Sequence, residues 1–259
     1  MLDIVNHLVL VRNFKYAMSD GLLKVIGTGS RGNCLAVYDS RGQYILLDVG
    51  VPMKNILKGV DYNTHDCVAA FVSHVHQDHS KAIDDCIKYA IPVYANEDVR
   101  KKYPKCELIE FLNVGNFSGF QVRTFEVAHD VQNNAFTIDT IDGIRILYAT
   151  DMNSVQWCSK NVNYAVIECN YSEEDLIDNF VEDEEVRSKY YNHFELNKCI
   201  HYLKNGIYNT ELRGVILWHM SKTNIDVKKA VEKVKLELGF PNVYAAKAGD
   251  IFKMTKTDF

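Results

Sequence analysis

The chain has 259 residues, a formal net charge of −5 and 47% hydrophobic residues. That length and apolar content suffice for one well-buried domain of the larger kind. The acidic balance weighs against a nucleic-acid groove, which needs a basic surface, and no apolar run approaches the length of a membrane span. Seven cysteines, an odd count with no Cys-x-x-Cys pair, read as reduced core residues of a cytoplasmic protein. Residues 1–20 carry no clear pattern and no signal-peptide character, so they read as an N-terminal extension ahead of a single domain at 21–259.

Leu22–Ile26 reads as a strand. The next segment, Gly27-Thr28-Gly29-Ser30-Arg31-Gly32-Asn33-Cys34, contains a literal Gly-x-Gly-x-x-Gly. In a dinucleotide-binding fold that pattern must open a helix. Here a second strand follows, Leu35–Tyr38, so the pattern predicts a tight turn between two antiparallel strands. Tyr44–Leu47 is a strand ending in Asp48-x-Gly50, and a carboxylate at a buried strand end needs a partner. The apolar run Cys67–Val72 leads directly into Ser73-His74-Val75-His76-Gln77-Asp78-His79. Imidazoles and a carboxylate at that density are ligands for zinc, manganese or iron. His74 and His76, two apart at a strand end, can aim at one ion. Asp78 and His79, past the turn, can reach a second ion beside it. A structural one-ion site more often uses paired cysteines, which do not occur here.

Ala82, Ile83, Cys86, Ile87 and Ala90 are spaced as one helical face. Ile91–Tyr94 reads as a strand, 97–103 as a short helix, and 107–112 and 120–128 as strands, the last running into His129-Asp130. Ala135–Asp139 and Ile144–Ala149 form a hairpin around Asp142-Gly143, and its second strand ends at Thr150-Asp151. Tyr164–Ile167 ends at Glu168-Cys169-Asn170. Residues 161–186 hold many acids and no Lys or Arg, which argues against a nucleic-acid strand nearby. Tyr190-Tyr191-Asn192-His193 precedes a helix with Phe194, Leu196, Cys199, Ile200 and Leu203 inward. Val215–Trp218 is a buried strand ending at His219-Met220-Ser221. A helix carrying Val227, Ala230, Val231 and Val234 and a short strand at 242–245 complete the pattern. His7, His65 and His201 read as surface or loop residues.

His-x-His-x-Asp-His after a buried strand resembles the metal-binding signature of the metallo-β-lactamase superfamily. The resemblance implies a four-layer αββα sandwich, an α/β fold, with a two-metal site at the sheet edge. It implies that His74, His76 and His129 hold a first ion and that Asp78, His79 and His219 hold a second. Asp151 bridges them, since two neighbouring cations need an anion between them. The ions implied are zinc, with manganese the alternative. Asp48 is implied to orient a metal histidine from behind, and Glu168 to support His193. The glycine turn and His219-x-Ser221 resemble the YycJ-like branch, and Glu168 with His193 resembles both that branch and the ribonuclease Z-like one. His193 departs from the latter, being followed by Phe-Glu-Leu rather than small hydroxyl residues.

The chemistry implied is a metal-dependent hydrolase. Metal coordination lowers the pKa of a water and clamps a phosphoryl group undergoing displacement. His193 is the expected proton donor or charge neutraliser. The carboxylate-bearing second site resembles the phosphodiesterase side of the superfamily. Three substrates stay open: a polynucleotide, as in the YycJ-like and ribonuclease Z-like nucleases; a cyclic nucleotide, as in the compact phage anti-Pycsar enzymes that resemble the same branch; and a non-phosphoryl compound. The acidic charge, with no tRNA-binding arm and no room for a β-CASP insert, favours a 3′,5′-cyclic mononucleotide. Ser30, Asn33, Asn133, Asn134, Tyr190 and Tyr191 flank expected ligands and are candidates to hold its base or ribose. A small site must exclude water, so a lid from a homodimer partner is expected. A phage counter-defence enzyme acting in the host cytoplasm fits this reading. The alternative from another class is a non-catalytic metal-binding protein.

Overall fold

The computed structural model describes residues 20–110, 114–178, 192–208 and 211–255. Residues 1–19, the expected N-terminal extension, and Tyr190 and Tyr191 lie outside them. One seven-stranded sheet contains β1 (Gly21–Gly27), β2 (Cys34–Tyr38), β3 (Tyr44–Leu47), β4 (Cys67–Val72), β5 (Val93–Ala95), β6 (Glu107–Leu108) and β16 (Ile251–Met254). Its order is β16-β1-β2-β3-β4-β5-β6. The second contains β7 (Val114–Phe117), β8 (Phe120–Val127), β9 (Asn133–Asp139), β10 (Arg145–Ala149), β12 (Tyr164–Glu168), β14 (Gly214–Trp218) and β15 (Val243–Ala245), in the order β15-β14-β12-β10-β9-β8-β7. A short pair, β11 (Ser159–Lys160) with β13 (Ile207–Tyr208), stands apart.

The period of two along each strand builds the layers. Leu23, Val25, Leu35, Val37, Ile45, Leu47 and Phe71 of the first sheet face Phe120, Val122, Phe136, Ile138, Ile146, Tyr148 and Trp218 of the second in one buried cluster. The intervening residues Ala36, Leu46, Ala70 and Val72 pack under the helices Met53–Gly59, Ile83–Lys88 and Glu97–Lys102. On the far side Leu147, Ala149, Ala165, Ile167, Val215 and Leu217 pack under the helices Leu196–Asn205 and Val227–Leu238. Strands apolar on both faces belong in a sheet covered on both sides. The result is the expected αββα sandwich.

β3 and β4 are parallel, as are β10, β12 and β14. Parallel strands deliver their C-terminal ends to one edge, where open α/β sheets place their ligands. Asp48, His74, Asp151 and His219 all follow such ends. β1 and β2 are antiparallel, so the Gly-x-Gly-x-x-Gly segment is a strand-to-strand turn, as its sequence context predicts.

Several elements differ from expectation. The strand expected at 107–112 is confined to Glu107–Leu108 among the described residues. The helical face over 82–90 belongs to Ile83–Lys88, preceded by a separate turn of helix, Gln77–Ser80. β7 has no apolar alternation and carries Gly115 and Asn116, both turn formers. β16 is short and is fixed by pairing with β1, a long-range contact with no local signature. Of the cysteines, Cys158 is exposed and the other six are buried, with no disulfide.

Phe71 is fully buried between the sheets, its ring stacked on Tyr94 at 5.5 Å and edge-on to Phe117 at 4.9 Å. Phe71→Ala is expected to cost about 3–5 kcal/mol of stability, the scale for deleting a core aromatic ring. Leu236→Ala, at a side chain 81% exposed, should cost less than about 0.5 kcal/mol. Denaturant unfolding of both variants checks the pair, and equal losses would contradict this packing.

Candidate metal centre

Three main-chain segments meet at the site. Asn33 N–H donates to the Asp78 carbonyl at 2.7 Å, Gly50 N–H to the Asn33 carbonyl at 2.8 Å, and Val49 N–H to the His79 carbonyl at 2.9 Å. Gly50 is required by space: a Cβ there would lie 1.6 Å from the Asp78 carbonyl oxygen. The glycine turn and the Asp48–Gly50 corner therefore hold the backbone that presents Asp78 and His79.

Asp48 is buried and accepts four hydrogen bonds. Its Oδ1 takes the Ser73 N–H and the Ser73 hydroxyl, each at 2.8 Å. Its Oδ2 takes the Tyr148 hydroxyl and His79 Nδ1, each at 2.7 Å. With its Nδ1 proton committed to Asp48, His79 turns Nε2 toward the site, 3.3 Å from Asp151 Oδ2. A carboxylate behind a histidine fixes ring and tautomer in this way.

Three groups of donors converge among the described residues, one of them Asp151, Glu168, His193 and His219 behind the other two. His74, His76 and His129 place one ring nitrogen each within 4.8 Å of one another. The second group is Asp78, His79, Asp151 and His219, under the same limit. Asp151 stands between them: its Oδ2 is 3.7 Å from His74 Nε2 and 3.3 Å from His79 Nε2, and its Oδ1 is 3.3 Å from His219 Nδ1. Asp48, Asp151 and His219 have φ of 58°, 50° and 51°. Left-handed backbone is uncommon outside glycine, though Asp and His adopt it more readily than most, and three of the non-glycine residues that take it sit at this centre.

The electrostatics suit a cation. Burial, with His79 close by, holds His74 well below the usual imidazole range, so it is a neutral donor. Burial opposes a charge on His79 and His219, but Asp151 together with the other neighbouring carboxylates outweighs it at both. Asp48 adds to the effect at His79, and Asp78 and Glu168 at His219, which is pushed up to about 10. Asp151 itself is held well below the carboxylate range, because His219 and His79 overcome its burial. Protons on His79 and His219 thus supply positive charge that Asp151 demands. Nε2 of His219 is buried with no hydrogen-bond partner among the described residues, 3.7 Å from Asp78 Oδ2. Buried orphan nitrogens are rare. An imidazole and carboxylate set with an orphaned nitrogen aimed inward fits divalent zinc or manganese.

Behind this centre, Glu168 Oε1 is 2.6 Å from His193 Nδ1 and 3.3 Å from His219 Nδ1, while its Oε2 accepts the Met152 N–H at 2.8 Å. Burial lowers the His193 pKa, but Glu168 outweighs it and raises it. His193 is the more accessible ring, its side chain 23% exposed.

The candidate substrate residues divide. Ser30 lines a cavity beside the centre, together with His193 and His219. Asn33 is buried and closes the glycine turn, its Oδ1 accepting the Gly29 N–H at 2.9 Å, with its amide nitrogen 2.9 Å from His79 Nε2. Asn133 is buried and donates to the carbonyls of Thr150 and Asp151 at 2.9 and 2.6 Å. It therefore fixes the backbone under Asp151. Asn134 is buried in β9 with its N–H on the Ser73 carbonyl at 3.0 Å. Neither Asn133 nor Asn134 lines that cavity. His65 and His201 are exposed, as expected, and His7 lies outside the described residues.

The sequence reading missed Ser73, Tyr148, Asp130 and Asn170. Ser73 adjoins the histidine motif, and its double bond to Asp48 needs the fold to be seen. Asp130 Oδ1 is 3.1 Å from His129 Nε2 and 3.6 Å from His76 Nε2. Asn170 donates to the His219 carbonyl at 2.8 Å, and its place straight after Glu168-Cys169 was the available signal.

Asp48→Asn keeps size and removes the charge behind His79. Metal affinity is expected to fall about 10–100-fold, the usual cost of losing such a support. Calorimetric titration with zinc checks it, and unchanged affinity would remove Asp48 from the site.

No family model matches the sequence, and no curated protein matches it. Solved structures do match. The metallo-β-lactamase fold protein YhfI from Bacillus subtilis superposes with a TM-score of 0.69 at 15% identity, covering 91% of this chain and 100% of that one. A diphosphatase of the PhnP family gives 0.66 at 13% identity, covering 90% and 97%. Human tRNase Z, short form, gives 0.61 at 13% identity, covering 89% and 98%. Identities at this level carry fold alone. The two sheets, their covering helices and these superpositions together give the chain the metallo-β-lactamase αββα fold.

Proposed function

We propose that the chain is a metal-dependent phosphodiesterase acting on 3′,5′-cyclic mononucleotides. The observation that carries the reading is Asp151, a buried carboxylate standing between two converging donor groups. One carboxylate can serve both groups only if the cations lie side by side. Paired divalent ions polarise a phosphoryl oxygen, activate water and clamp both oxygens of a displacement.

The chain's own residues supply the remainder. His74, His76 and His129 would hold a first ion and Asp78, His79 and His219 a second, with zinc the preferred metal and manganese the alternative. Asp48 keeps Nε2 of His79 facing inward. Glu168 occupies Nδ1 of His193, which leaves the proton on Nε2 for the leaving oxygen. Glu168 also raises the His193 pKa against the effect of burial, which favours the protonated ring. The likeness to a diphosphatase and to tRNase Z supports phosphoryl chemistry. The net charge of −5 supports a small substrate over a polyanion, because a polynucleotide gains its affinity from Lys and Arg on phosphates.

Two ions per chain are expected at saturation, and a plateau at one by metal analysis would sink the reading. His193→Ala should retain both ions and lose rate by roughly a hundredfold or more, the scale of a missing general acid. Loss of metal instead would make His193 a ligand. The substrate is decided by specificity constants at two salt concentrations for cyclic mononucleotides, cyclic dinucleotides, pre-tRNA and single-stranded DNA. Cyclic mononucleotides should be hydrolysed fastest, with little dependence on salt. Faster cleavage of pre-tRNA or DNA, collapsing as salt rises, would establish a nuclease.

A further inference from the structure

The donor set behind the centre, Asp151, Glu168, His193 and His219, offers one ligand atom from each residue within 4.8 Å of the others. It matches the second set, Asp78, His79, Asp151 and His219, in make-up: two carboxylates and two imidazoles. Both suit zinc or manganese. Neither has an advantage in formal charge. Asp151 and His219 belong to both.

The shared side chains turn different atoms to each set. Asp151 Oδ2 faces His79 Nε2 at 3.3 Å, and its Oδ1 faces His219 Nδ1 at 3.3 Å. His219 Nε2 is 3.7 Å from Asp78 Oδ2, whereas its Nδ1 is 3.3 Å from Glu168 Oε1. Glu168 Oε1 in turn lies 2.6 Å from His193 Nδ1. A neutral imidazole carries its proton on one nitrogen and its lone pair on the other. His219 can therefore serve one set at a time, the second through Nε2 or the set behind it through Nδ1. Asn170 Nδ2, 3.1 Å from His219 Nδ1, is the contact an ion there would displace. Its bond to the His219 carbonyl at 2.8 Å does not involve the ring. His193 and His219 also line the cavity beside the centre, which gives an ion a way in from solvent.

We propose that the second ion has two alternative positions, an outer one on Asp78 and His79 and an inner one on Glu168 and His193, exchanged about Asp151 and His219. In the inner position the ion takes His193 Nδ1 from Glu168, and the proton there is released to water. The Glu168–His193 pair that sets up the proton donor is then broken, so the inner position is a silent one. It rests on the two-ion reading above; its effect on turnover rests on the phosphodiesterase reading as well.

Asp78→Ala removes a ligand that belongs to the outer position alone. Calorimetric titration with zinc, with metal analysis of the desalted protein, should still return two ions for this variant. His193→Ala alone should also keep two. In the double variant Asp78→Ala with His193→Ala the second ion should weaken by a further hundredfold or more, above the roughly 10–100-fold cost of losing a supporting group, and the desalted protein should return one. Such non-additivity marks two side chains that serve one ion in turn, whereas independent effects would add. Circular dichroism checks the fold, and Asp78→Ser carries the same expectation should the alanine variant not fold. One ion in the single Asp78 variant, or two in the double variant, would overturn this inference and leave the two-ion reading standing. One ion in the unaltered chain would overturn both.

Discussion

One buried carboxylate ties the two sheets to the site. Asp48 sits at the end of β3, yet it accepts from Ser73 after β4, from His79 in the following turn and from Tyr148 on β10 of the opposite sheet. An isolated carboxylate in such a place would be expelled or neutralised. Four donors satisfy its oxygens, and the carboxylate in turn fixes His79. Charge-assisted bonds of this kind are worth about twice their neutral counterparts. The Tyr148 phenol shows the cost of the arrangement: burial and the neighbouring Asp48 raise its pKa well above the ordinary range, so it acts only as a donor. Removing any one donor leaves a buried carboxylate oxygen with one hydrogen bond in place of two, which links stability of the sandwich to geometry of the centre.

The second constraint is backbone shape at the strand ends. Asp48, Asp151 and His219 all take left-handed φ within two residues of their strand ends. Such conformations cost of order 1–3 kcal/mol each and persist where surroundings impose them. Here the surroundings are visible. Asn133 clamps the Thr150 and Asp151 carbonyls, Thr28 holds the His219 N–H, and Asn170 holds the His219 carbonyl. Each reversal turns a strand-end side chain back along the sheet edge toward its neighbours. An extended residue would carry the same side chain away. Asn133, which holds the turn at Asp151, is thus part of the centre although it does not line the cavity, whereas Asn170 both holds the turn at His219 and lines it.

How much of this was legible in the sequence follows from the range of each interaction. The histidine motif, Asp48-x-Gly50 and the strand ending at His219 could be read directly, because a buried apolar run stopping at a titratable residue is a local pattern. The rejection of a dinucleotide turn was equally local, since β2 follows where a helix would be needed. β16 was not legible: Ile251–Met254 is a strand because β1 offers it a partner. The roles of Asn133 and Asn134 were misjudged for a related reason. Polar residues flanking ligands look exposed in a sequence, and only the registry of β9 between β8 and β10 shows them buried. Tyr148 as a donor to Asp48 is a contact across the sandwich, invisible to any spacing rule.

Charge completes the picture, through its distribution rather than its sum. The chain is acidic overall, and Glu173 and Glu174 are exposed on the helix that follows β12. Arg31 and Lys222 meanwhile line the cavity with no carboxylate beside them. Screening confines each of these fields to about 10 Å at 0.1 M salt. The two regions adjoin, since the Ser172 N–H, next in the chain to Glu173, donates at 3.0 Å to the carbonyl of Asn224, which lines the cavity. Cations and acids therefore lie side by side at this edge of the sandwich, and under the proposed reading a small diester would meet the first without spanning the second.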